Sequence, residues 1–298
     1  MSAASEAELS RFEDELRSRE KSPATVDGYL SDVRLFAVWE HERHPNAGLN
    51  DMGEVDIRAY RDWLLDIERR RASTVNRRLQ ALRAFYRGEM RAGRRKNNPA
   101  AEVHTVREAT RTRPLSLRDD EVHRLLTAAG RSAQSTRNLA LVHMMLQAGL
   151  RVAEVHHLHW ADLTLSERAG QVQIHGKGLR QRVVPLNARC RRAITRHLEQ
   201  ASPDSSSTRV FVSNRGRPMA RRTIQYTIAR LAKVANIDRL AVGPHTLRHT
   251  FAANYLDANP GGLVQLSGLL GHESLETTAV YLRPSMAELE AGVERAAR

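Results

Sequence analysis

Apolar residues recur at spacings of three and four along most of this 298-residue chain, and they alternate at a spacing of two in one short segment. The clearest helical stripes follow the Ser22–Pro23 pair, an N-cap with a first-turn proline, and Ser73; the second stripe ends near Gly93, as helices often do. Between Leu163 and Leu186 the pattern becomes period two, interrupted by the turn sequences SERAG and KGLR. The periodicity predicts a mainly α-helical protein with one small antiparallel β-sheet.

The distribution of these patterns predicts two domains. Four helical stripes in the first 95 residues fit a small helical bundle, and the length of the chain allows about two ordinary domains. The stretch from residue 96 to residue 113 is polar and basic and has no apolar stripe, which is typical of a linker. Helical periodicity resumes after Ser116, a predicted N-cap. We therefore expect an N-terminal helical domain at residues 1–95, a basic linker at 96–113, and a second domain at 114–298 that contains the sheet.

Composition excludes several classes of protein. With 41% hydrophobic and 27% charged residues the chain is typical of globular proteins, and no apolar run approaches the about 20 residues that cross a bilayer. The acidic N-terminus lacks the features of a secretory signal, and Cys190 is the single cysteine, which suits a reducing compartment. We expect a cytoplasmic protein with no membrane partner.

The positive charge is concentrated in one segment. The net charge is +13, and residues 69–113 hold fourteen Lys or Arg against three acidic residues, a net charge of +11. An isolated run of charge is most often a solvated helix face, but this concentration favours contact with a phosphate backbone. Four of these cations are expected to lie off the apolar stripe that follows Ser73: Arg77, Arg78, Arg87 and Arg91. The predicted DNA-binding residues are Arg77, Arg78, Arg87, Arg91, Arg94, Arg95 and Lys96.

The sequence GPHTLRHTFAANY places two histidines and an arginine, His245, Arg248 and His249, on one predicted helix. Such a cluster can bind a metal, bind an anion or form a buried hydrogen-bond network. The spacing of four between the histidines permits a shared zinc ion, but the glutamate of an HExxH motif is missing and no carboxylate cluster follows. The HHLHW sequence at residues 156–160 also shows no third ligand. We expect no metal site here.

The anion interpretation is favoured by a second arginine in a structured position. In AGLRVAEV, Arg151 follows a glycine that ends one helix and stands at the start of the next, with Glu154 three residues later. Two planar guanidinium groups can hold the oxygens of a phosphodiester, and backbone N–H groups at a helix start favour negative charge. Alone, either arginine would usually form a surface ion pair. Together, Arg151 and Arg248 are the predicted anion-binding pair.

The downstream sequence LSGLLGHESLETTAVYL adds a histidine after a glycine and a tyrosine nine residues later. The order GLR, K, HTLRH, LLGH and Y resembles the tyrosine recombinase family, which includes the lambda-type phage integrases and the Xer recombinases. Each motif alone is weak, but six matching positions in order within 131 residues are specific. The matching positions are Arg151, Lys177, His245, Arg248, His272 and Tyr281.

The resemblance implies a fold and a reaction. It implies an N-terminal core-DNA-binding domain and a C-terminal catalytic domain that form a C-shaped clamp on DNA. It also implies a site-specific recombinase that cleaves and rejoins DNA through a 3′-phosphotyrosyl intermediate, with no ATP, metal or other cofactor. The reaction would serve integration, excision, or resolution of a mobile element or of chromosome dimers.

The resemblance also implies a role for each matching residue. Tyr281 attacks the scissile phosphate, and Arg151 and Arg248 bind its non-bridging oxygens. His272 donates a further hydrogen bond. His245 accepts a proton or orients the phosphate, and Lys177 protonates the leaving 5′-oxygen. Of the neighbouring residues, Glu154 is expected to hold Arg151 in place, and His249 to be a structural hydrogen bonder rather than a catalyst.

The resemblance further implies partners. The segment after Tyr281 contains a capping box and a short apolar stripe, and in the family such a tail docks on a neighbouring subunit. We therefore expect a homotetramer, or a heterotetramer with a related recombinase, on two double-stranded DNA sites with inverted binding arms. Two alternatives remain open from the sequence: nicking of the type IB topoisomerase kind, and a non-catalytic DNA-binding regulator of the same fold.

Overall fold

The computed structural model describes residues 1–107, 114–176, 181–200, 208–272 and 274–282, together with residues 290, 293, 294 and 296. The chain divides into two compact units, Met1–Thr110 and Arg111–Arg298. Within the described ranges, no helix combines the length and apolar character that a membrane span requires. Lys177 and the capping box after Tyr281 lie outside the described residues.

The first unit is a helical bundle. Its helices are α1 (Ala3–Ser18), α2 (Pro23–Arg43), α3 (Glu54–Asp66) and α4 (Ala72–Arg91). The predicted stripes form its core, where Phe12, Phe36, Tyr60 and Phe85 are almost fully buried. Two predicted end signals are confirmed: the Ser22 side chain caps α2, and the glycine after α4 has a φ of +70°.

The start of the predicted linker packs on this bundle. Ala100 and Val103 are buried in the same core, and the Arg83 guanidinium donates to their carbonyl oxygens at 3.0 and 2.7 Å. The Asn76 side chain exchanges two hydrogen bonds with the backbone of Val106, at 2.9 and 2.8 Å. The first unit therefore extends at least as far as Val106.

The second unit combines eight described helices with a small sheet. The helices are α5 (Asp119–Gly130), α6 (Ser135–Leu146), α7 (Val152–His157), α8 (Ala188–Gln200), α9 (Arg221–Val234), α10 (Pro244–Ala258), α11 (Leu263–Leu270) and α12 (Leu275–Ala279). Strands β1 (Leu163–Leu165), β2 (Gly170–His175) and β3 (Gln181–Pro185) pair antiparallel in the order β1-β2-β3, which confirms the predicted sheet.

Two further features of the second unit are the start of α5 and the packing of Tyr281. Helix α5 is capped by Arg118, whose N–H donates to the Glu121 carboxylate at 2.8 Å, so the prediction that Ser116 is the N-cap is wrong. Helices α10 and α11 share a small apolar cluster that includes Leu256 and Leu270, and Tyr281 packs into it. This packing brings the short turn Val280–Leu282 against α10.

Candidate active site

Gly149 lies in the turn between α6 and α7, just before Arg151. It follows α6 with a φ of +66°, and a Cβ atom built on it would lie 2.4 Å from the Phe251 ring. Only glycine permits both the left-handed backbone and this close packing. The chain can therefore turn directly into α7, whose N-cap is Arg151.

A second glycine, Gly271, lies at the other end of the site, where α11 ends. Gly271 ends α11 with a φ of +61°, and a Cβ there would lie 2.8 Å from the Arg182 guanidinium. Its carbonyl oxygen accepts a hydrogen bond from Arg151 Nη2 at 3.0 Å. The predicted GLR and LLGH motifs are thus joined by a direct contact, and His272 follows immediately.

Glu154 lies at the centre of the arginine cluster. One of its oxygens accepts from Arg151 Nη1 at 2.9 Å and the other from the Arg151 backbone N–H at 2.7 Å. Arg182 donates to both carboxylate oxygens at 2.9 Å. Burial raises the pKa of Glu154, but the hydrogen bonds and charge of Arg182, with those of Arg151, outweigh it and lower the pKa overall. Glu154 is therefore an ionised group that positions two arginines.

Sequence reasoning missed Arg182. The residue lies in β3, within the sequence QRVVP, where no motif distinguishes it from an ordinary strand arginine. Its role appears only in three dimensions, because Nε donates to the Leu269 carbonyl oxygen at 2.8 Å while the other two nitrogens bind Glu154. Arg182 thereby links the sheet to α11 and to α7.

Arg248 is the buried member of the pair predicted to bind an anion. It is only 4% exposed, and its two terminal nitrogens donate to the carbonyl oxygens of Gly149 and Leu270, both at 2.6 Å. Burial, and next the charge of Arg151, lowers its pKa to about 9, so the guanidinium remains charged at neutral pH. A buried cation beside a second cation is a favourable place for an anion.

His272 connects Arg248 to α12. Its Nε2 lies 3.0 Å from Arg248 Nη2, and its Nδ1 lies 2.8 Å from the Thr278 hydroxyl. Since a guanidinium can only donate, Nε2 is the acceptor in this contact. Burial, and then Arg248, lowers the pKa of His272 to about 4, so the ring is neutral at pH 7.

Tyr281 is bonded to His249. The phenol oxygen lies 2.6 Å from His249 Nδ1, the ring centroids are 5.6 Å apart, and Tyr281 is 5% exposed. Burial raises the pKa of Tyr281, and the charges of Arg248 and Arg151 oppose that rise. Burial and the neighbouring His245 lower the pKa of His249 to about 4. In the tautomer of His249 that carries its proton on Nε2, the protonated phenol donates to the neutral imidazole.

The structure brings four of the predicted catalytic residues into one site: Arg151, Arg248, His272 and Tyr281. His245 is at its edge, because it lies one turn before His249 on α10 and is exposed, with the two imidazole centroids 6.5 Å apart. His249, expected from sequence to be a structural hydrogen bonder rather than a catalyst, forms its hydrogen bond with the tyrosine. The signal for it was the RH pair in HTLRH.

Comparison with known proteins identifies the family of this chain. The model of the phage integrase family matches residues 116–288, and that of the phage integrase N-terminal SAM-like domain matches residues 9–90. Tyrosine recombinase XerC of Lacticaseibacillus casei is 32% identical over 91% of this chain and 92% of that protein. The chain belongs to the phage integrase family. It is a tyrosine site-specific recombinase of the Xer type.

Further relatives of this recombinase support the same conclusion. Tyrosine recombinase XerD of Oceanobacillus iheyensis is 28% identical over 90% of each chain. The crystal structure of XerA recombinase is 27% identical, covers 97% of this chain and 98% of that one, and gives a TM-score of 0.54. A XerH recombinase in a post-cleavage complex with a palindromic difH substrate gives a TM-score of 0.77 at 21% identity, over 94% and 82% of the two chains. At that identity the likeness shows the shared fold.

The predicted DNA-binding residues of the recombinase differ in their surroundings. Arg78 is 9% exposed and donates to the Tyr60 hydroxyl at 3.1 Å, so the expectation that it lies off the apolar face is corrected. Arg94 forms two hydrogen bonds to Glu89, at 2.8 and 2.7 Å. The other five remain at least partly accessible. Arg77 pairs with Asp32, and Arg91 pairs with Glu15. Arg95 donates to the carbonyl oxygens of Asn50 and Met52, whereas Arg87 and Lys96 are exposed.

Proposed function

We propose that this recombinase cleaves one strand of double-stranded DNA by attack of the Tyr281 oxygen on a backbone phosphorus. The new Tyr281–phosphorus bond replaces the bond to the 5′-oxygen, which leaves as a 5′-hydroxyl after it gains a proton. A 5′-hydroxyl from another strand can then reverse the step and rejoin the DNA. The observation that carries the proposal is the Tyr281 hydroxyl, held 2.6 Å from an imidazole and within the electrostatic influence of two arginines.

The arginine cluster fits the role of phosphate binding. Three guanidinium groups surround one carboxylate, which leaves the cluster with an excess of positive charge before an anion arrives. A phosphodiester bears one negative charge and gains more as the phenol attacks, so fixed cations stabilise the transition state more than the ground state. Arg151 and Arg248 would hold the non-bridging oxygens, while Glu154 and Arg182 fix the position of Arg151.

His272 would join this cradle once the phosphate is present. Its Nε2 accepts from Arg248 in the free protein, so it has no proton to donate there. The negative charge of the phosphate favours protonated His272 and raises its pKa. His272 can then donate to a non-bridging oxygen, as the family resemblance implies.

Two histidines divide the remaining tasks. His249 Nδ1 lies 2.6 Å from the Tyr281 hydroxyl and the ring is neutral at pH 7, so we assign His249, in the tautomer with its proton on Nε2, to receive the phenol proton during attack. His245 is exposed one turn away and would orient the phosphate. Lys177, by resemblance to the family, would protonate the 5′-oxygen. No metal or ATP is needed in this scheme, because the phosphotyrosyl bond conserves the energy of the broken bond.

DNA binding and assembly extend the proposal beyond the site. The exposed Arg87 and Lys96, with the accessible Arg77, Arg91 and Arg95, would contact the phosphates of duplex DNA with inverted binding arms. Exchange of strands between two sites requires four active tyrosines, which fits a homotetramer or a heterotetramer with a related recombinase. Integration, excision and resolution all use the same bond exchange, so the site chemistry serves each of them.

A nicked suicide substrate tests the proposal. The duplex carries the site found by footprinting genomic DNA that flanks the gene, with a nick beside the scissile phosphate so that the short cleaved fragment diffuses away. We expect the protein to become covalently attached and Tyr281→Phe to remain unattached. Tyr255→Phe is the matched control, since this tyrosine packs against the same apolar cluster, and it should attach normally.

The outcomes separate the alternatives. A protein that binds the duplex but never becomes attached is a non-catalytic regulator. A protein that relaxes a supercoiled plasmid but never exchanges strands between two sites behaves as a type IB topoisomerase. Attachment of Tyr281→Phe at the wild-type rate overturns the assignment of the nucleophile.

A further inference from the structure

The first unit contains a buried carboxylate that no hydrogen bond satisfies. Glu40, near the end of α2, is 4% exposed, and neither of its side-chain oxygens has a hydrogen-bond partner among the described residues. Burial of an ionised carboxylate without hydrogen bonds is costly, so such groups are normally protonated, paired with a cation or bound to a metal. Glu40 takes no part in the proposed chemistry of Tyr281.

Two potential metal ligands lie beside Glu40. His44 follows it by one helical turn, and its Nε2 is 3.9 Å from Glu40 Oε2. Asp56, in the first turn of α3, completes a group whose ligand atoms all lie within 4.8 Å of one another. Of the residues that the structure describes, these three form the one such group, and neither His245 nor His249 belongs to it.

The surroundings of Asp56 hold one of its oxygens in place. Its Oδ2 accepts a hydrogen bond from the Gly53 N–H at 2.8 Å, which leaves Oδ1 free of that bond. Outer hydrogen bonds of this kind orient ligands in metal sites. The ligand atoms of Asp56 and Glu40 lie within 4.8 Å of each other, so two carboxylates meet at one point and a cation between them could contact both.

We propose that Glu40, His44 and Asp56 bind a divalent transition-metal cation, for which Zn²⁺ is the best match, with water completing the coordination. One imidazole nitrogen and two carboxylate oxygens suit zinc, whereas Mg²⁺ and Ca²⁺ prefer oxygen ligands alone. Ligand bonds of about 2.0–2.1 Å place tetrahedral ligands roughly 3.3 Å apart, so the side chains need to close by at most about 1.5 Å. The His44 side chain is 49% exposed and free to make this movement.

Such an ion would join the end of α2 to the start of α3. The connection between these helices contains a 3₁₀ turn, Leu49–Asp51, and the carbonyls that accept from Arg95. Binding to the folded unit alone stabilises it in proportion to the ligand concentration. The site is therefore structural, and its loss should lower stability without removing any group from the active site.

The test compares Zn²⁺ binding by the full-length protein and by five variants. Equilibrium dialysis counts bound Zn²⁺ for wild type, Glu40→Gln and His44→Gln, because other surface histidines can also bind zinc and only the difference is informative. The matched controls are Glu42→Gln, an exposed carboxylate on the same helix, and His123→Gln, an exposed imidazole on α5. Asp56→Asn, which keeps an oxygen for the Gly53 N–H, serves as a second variant of the site.

We expect wild type and both controls to bind one more Zn²⁺ per chain than Glu40→Gln or His44→Gln, with affinity in the site variants reduced by at least about tenfold. Saturating Zn²⁺ should raise the melting temperature of the first unit by about 5 °C or more in wild type and controls only. Bound Co²⁺ should give a visible absorption band that the site variants lack.

The melting temperature of Glu40→Gln without metal is also informative. Glutamine removes the buried charge and keeps the shape, so in chelator the variant should melt at or above the wild-type temperature. That result shows that it folds. Equal Zn²⁺ binding and equal melting shifts in wild type and Glu40→Gln overturn the proposal and leave a simple pair between Glu40 and protonated His44. Displacement of the extra Zn²⁺ by equimolar Mg²⁺ or Ca²⁺ overturns the assigned class of metal.

Discussion

Tyr281 must lose its phenol proton to attack a phosphate, but burial of the side chain disfavours ionisation. A phenol with an ordinary pKa of about 10 is about one part in a thousand ionised at neutral pH, and burial raises the pKa of Tyr281 further. Arg248 and Arg151 oppose this rise but do not remove the proton. His249 is the acceptor in contact, at 2.6 Å. The histidine can accept the proton as the phosphorus bond forms, because the bound phosphate then favours the imidazolium.

Replacement of His249 by asparagine separates proton transfer from hydrogen bonding. The Asn oxygen lies near the position of Nδ1 and can accept from the Tyr281 hydroxyl, but it is not a base. We expect His249→Asn to attach to the nicked substrate about 10²-fold more slowly than wild type in a single turnover, and no faster than His249→Leu. A wild-type rate for His249→Asn contradicts proton transfer and leaves a positioning role.

The pH dependence gives an independent readout of the same residue. A base acts when it is neutral, and the pKa of His249 is lowered from 6.5 to about 4, so the free protein holds it neutral at pH 7. We expect the attachment rate of wild type to fall as the pH approaches the His249 pKa of about 4 from above, because the ring is then protonated and cannot accept the phenol proton; a bound phosphate favours the imidazolium and moves this fall to higher pH. His249→Asn should lack that part of the fall.

At the level of the secondary-structure elements, Gly149 permits the close packing of the turn between α6 and α7 against α10. Alanine there would require an unfavourable φ and would place a methyl group 2.4 Å from the Phe251 ring, whereas Gly216 has a φ of +71° with no atom within 4 Å of a Cβ. We expect Gly216→Ala to cost about 1–2 kcal/mol in urea unfolding, from the backbone alone. Gly149→Ala should cost about 1–3 kcal/mol more, because packing is added to strain.

Attachment assays extend this comparison to the site. Gly149→Ala displaces the carbonyl that binds Arg248 and the turn that leads to Arg151, so DNA attachment should slow in that variant and not in Gly216→Ala. Equal unfolding free energies and equal attachment rates in the two variants would show that the ring contact is readily relieved.

Much of the architecture was predictable because the spacing of apolar residues indicates which side of a helix or strand is buried. The end signals of α2 and α4, the sheet and the glycine before Arg151 all follow from local chemistry. The N-cap of α5 does not, because Leu117 N–H is bound by the Thr250 hydroxyl of α10, 133 positions away, and the helix starts after that contact. The roles of Arg182 and Arg78 depend on partners far along the chain in the same way.

For the molecule as a whole, formal charge overstates the number of cations available to DNA. Of the +11 segment, Arg94 is neutralised by Glu89, Arg78 is buried, and Arg83 binds backbone carbonyls. Exposed Arg87 and Lys96 make no hydrogen bond or ion pair with another described residue. These two side chains can neutralise phosphates without first breaking a contact within the protein.

The salt dependence of DNA affinity distinguishes the cations that contact phosphates from those already paired within the protein. Each phosphate contact contributes about −0.9 to the slope of log K against log salt concentration, so binding of the duplex site should weaken steeply as salt rises. Arg87→Gln and Lys96→Gln should each make the slope shallower by about 1, with a smaller change for Arg94→Gln because Glu89 already holds that guanidinium. Arg34→Gln, an exposed arginine of α2 outside the basic segment, is the matched control and should leave the slope unchanged. If Arg34→Gln and Arg87→Gln change the slope equally, attraction by net charge explains the affinity and the basic segment has no special contact with phosphates.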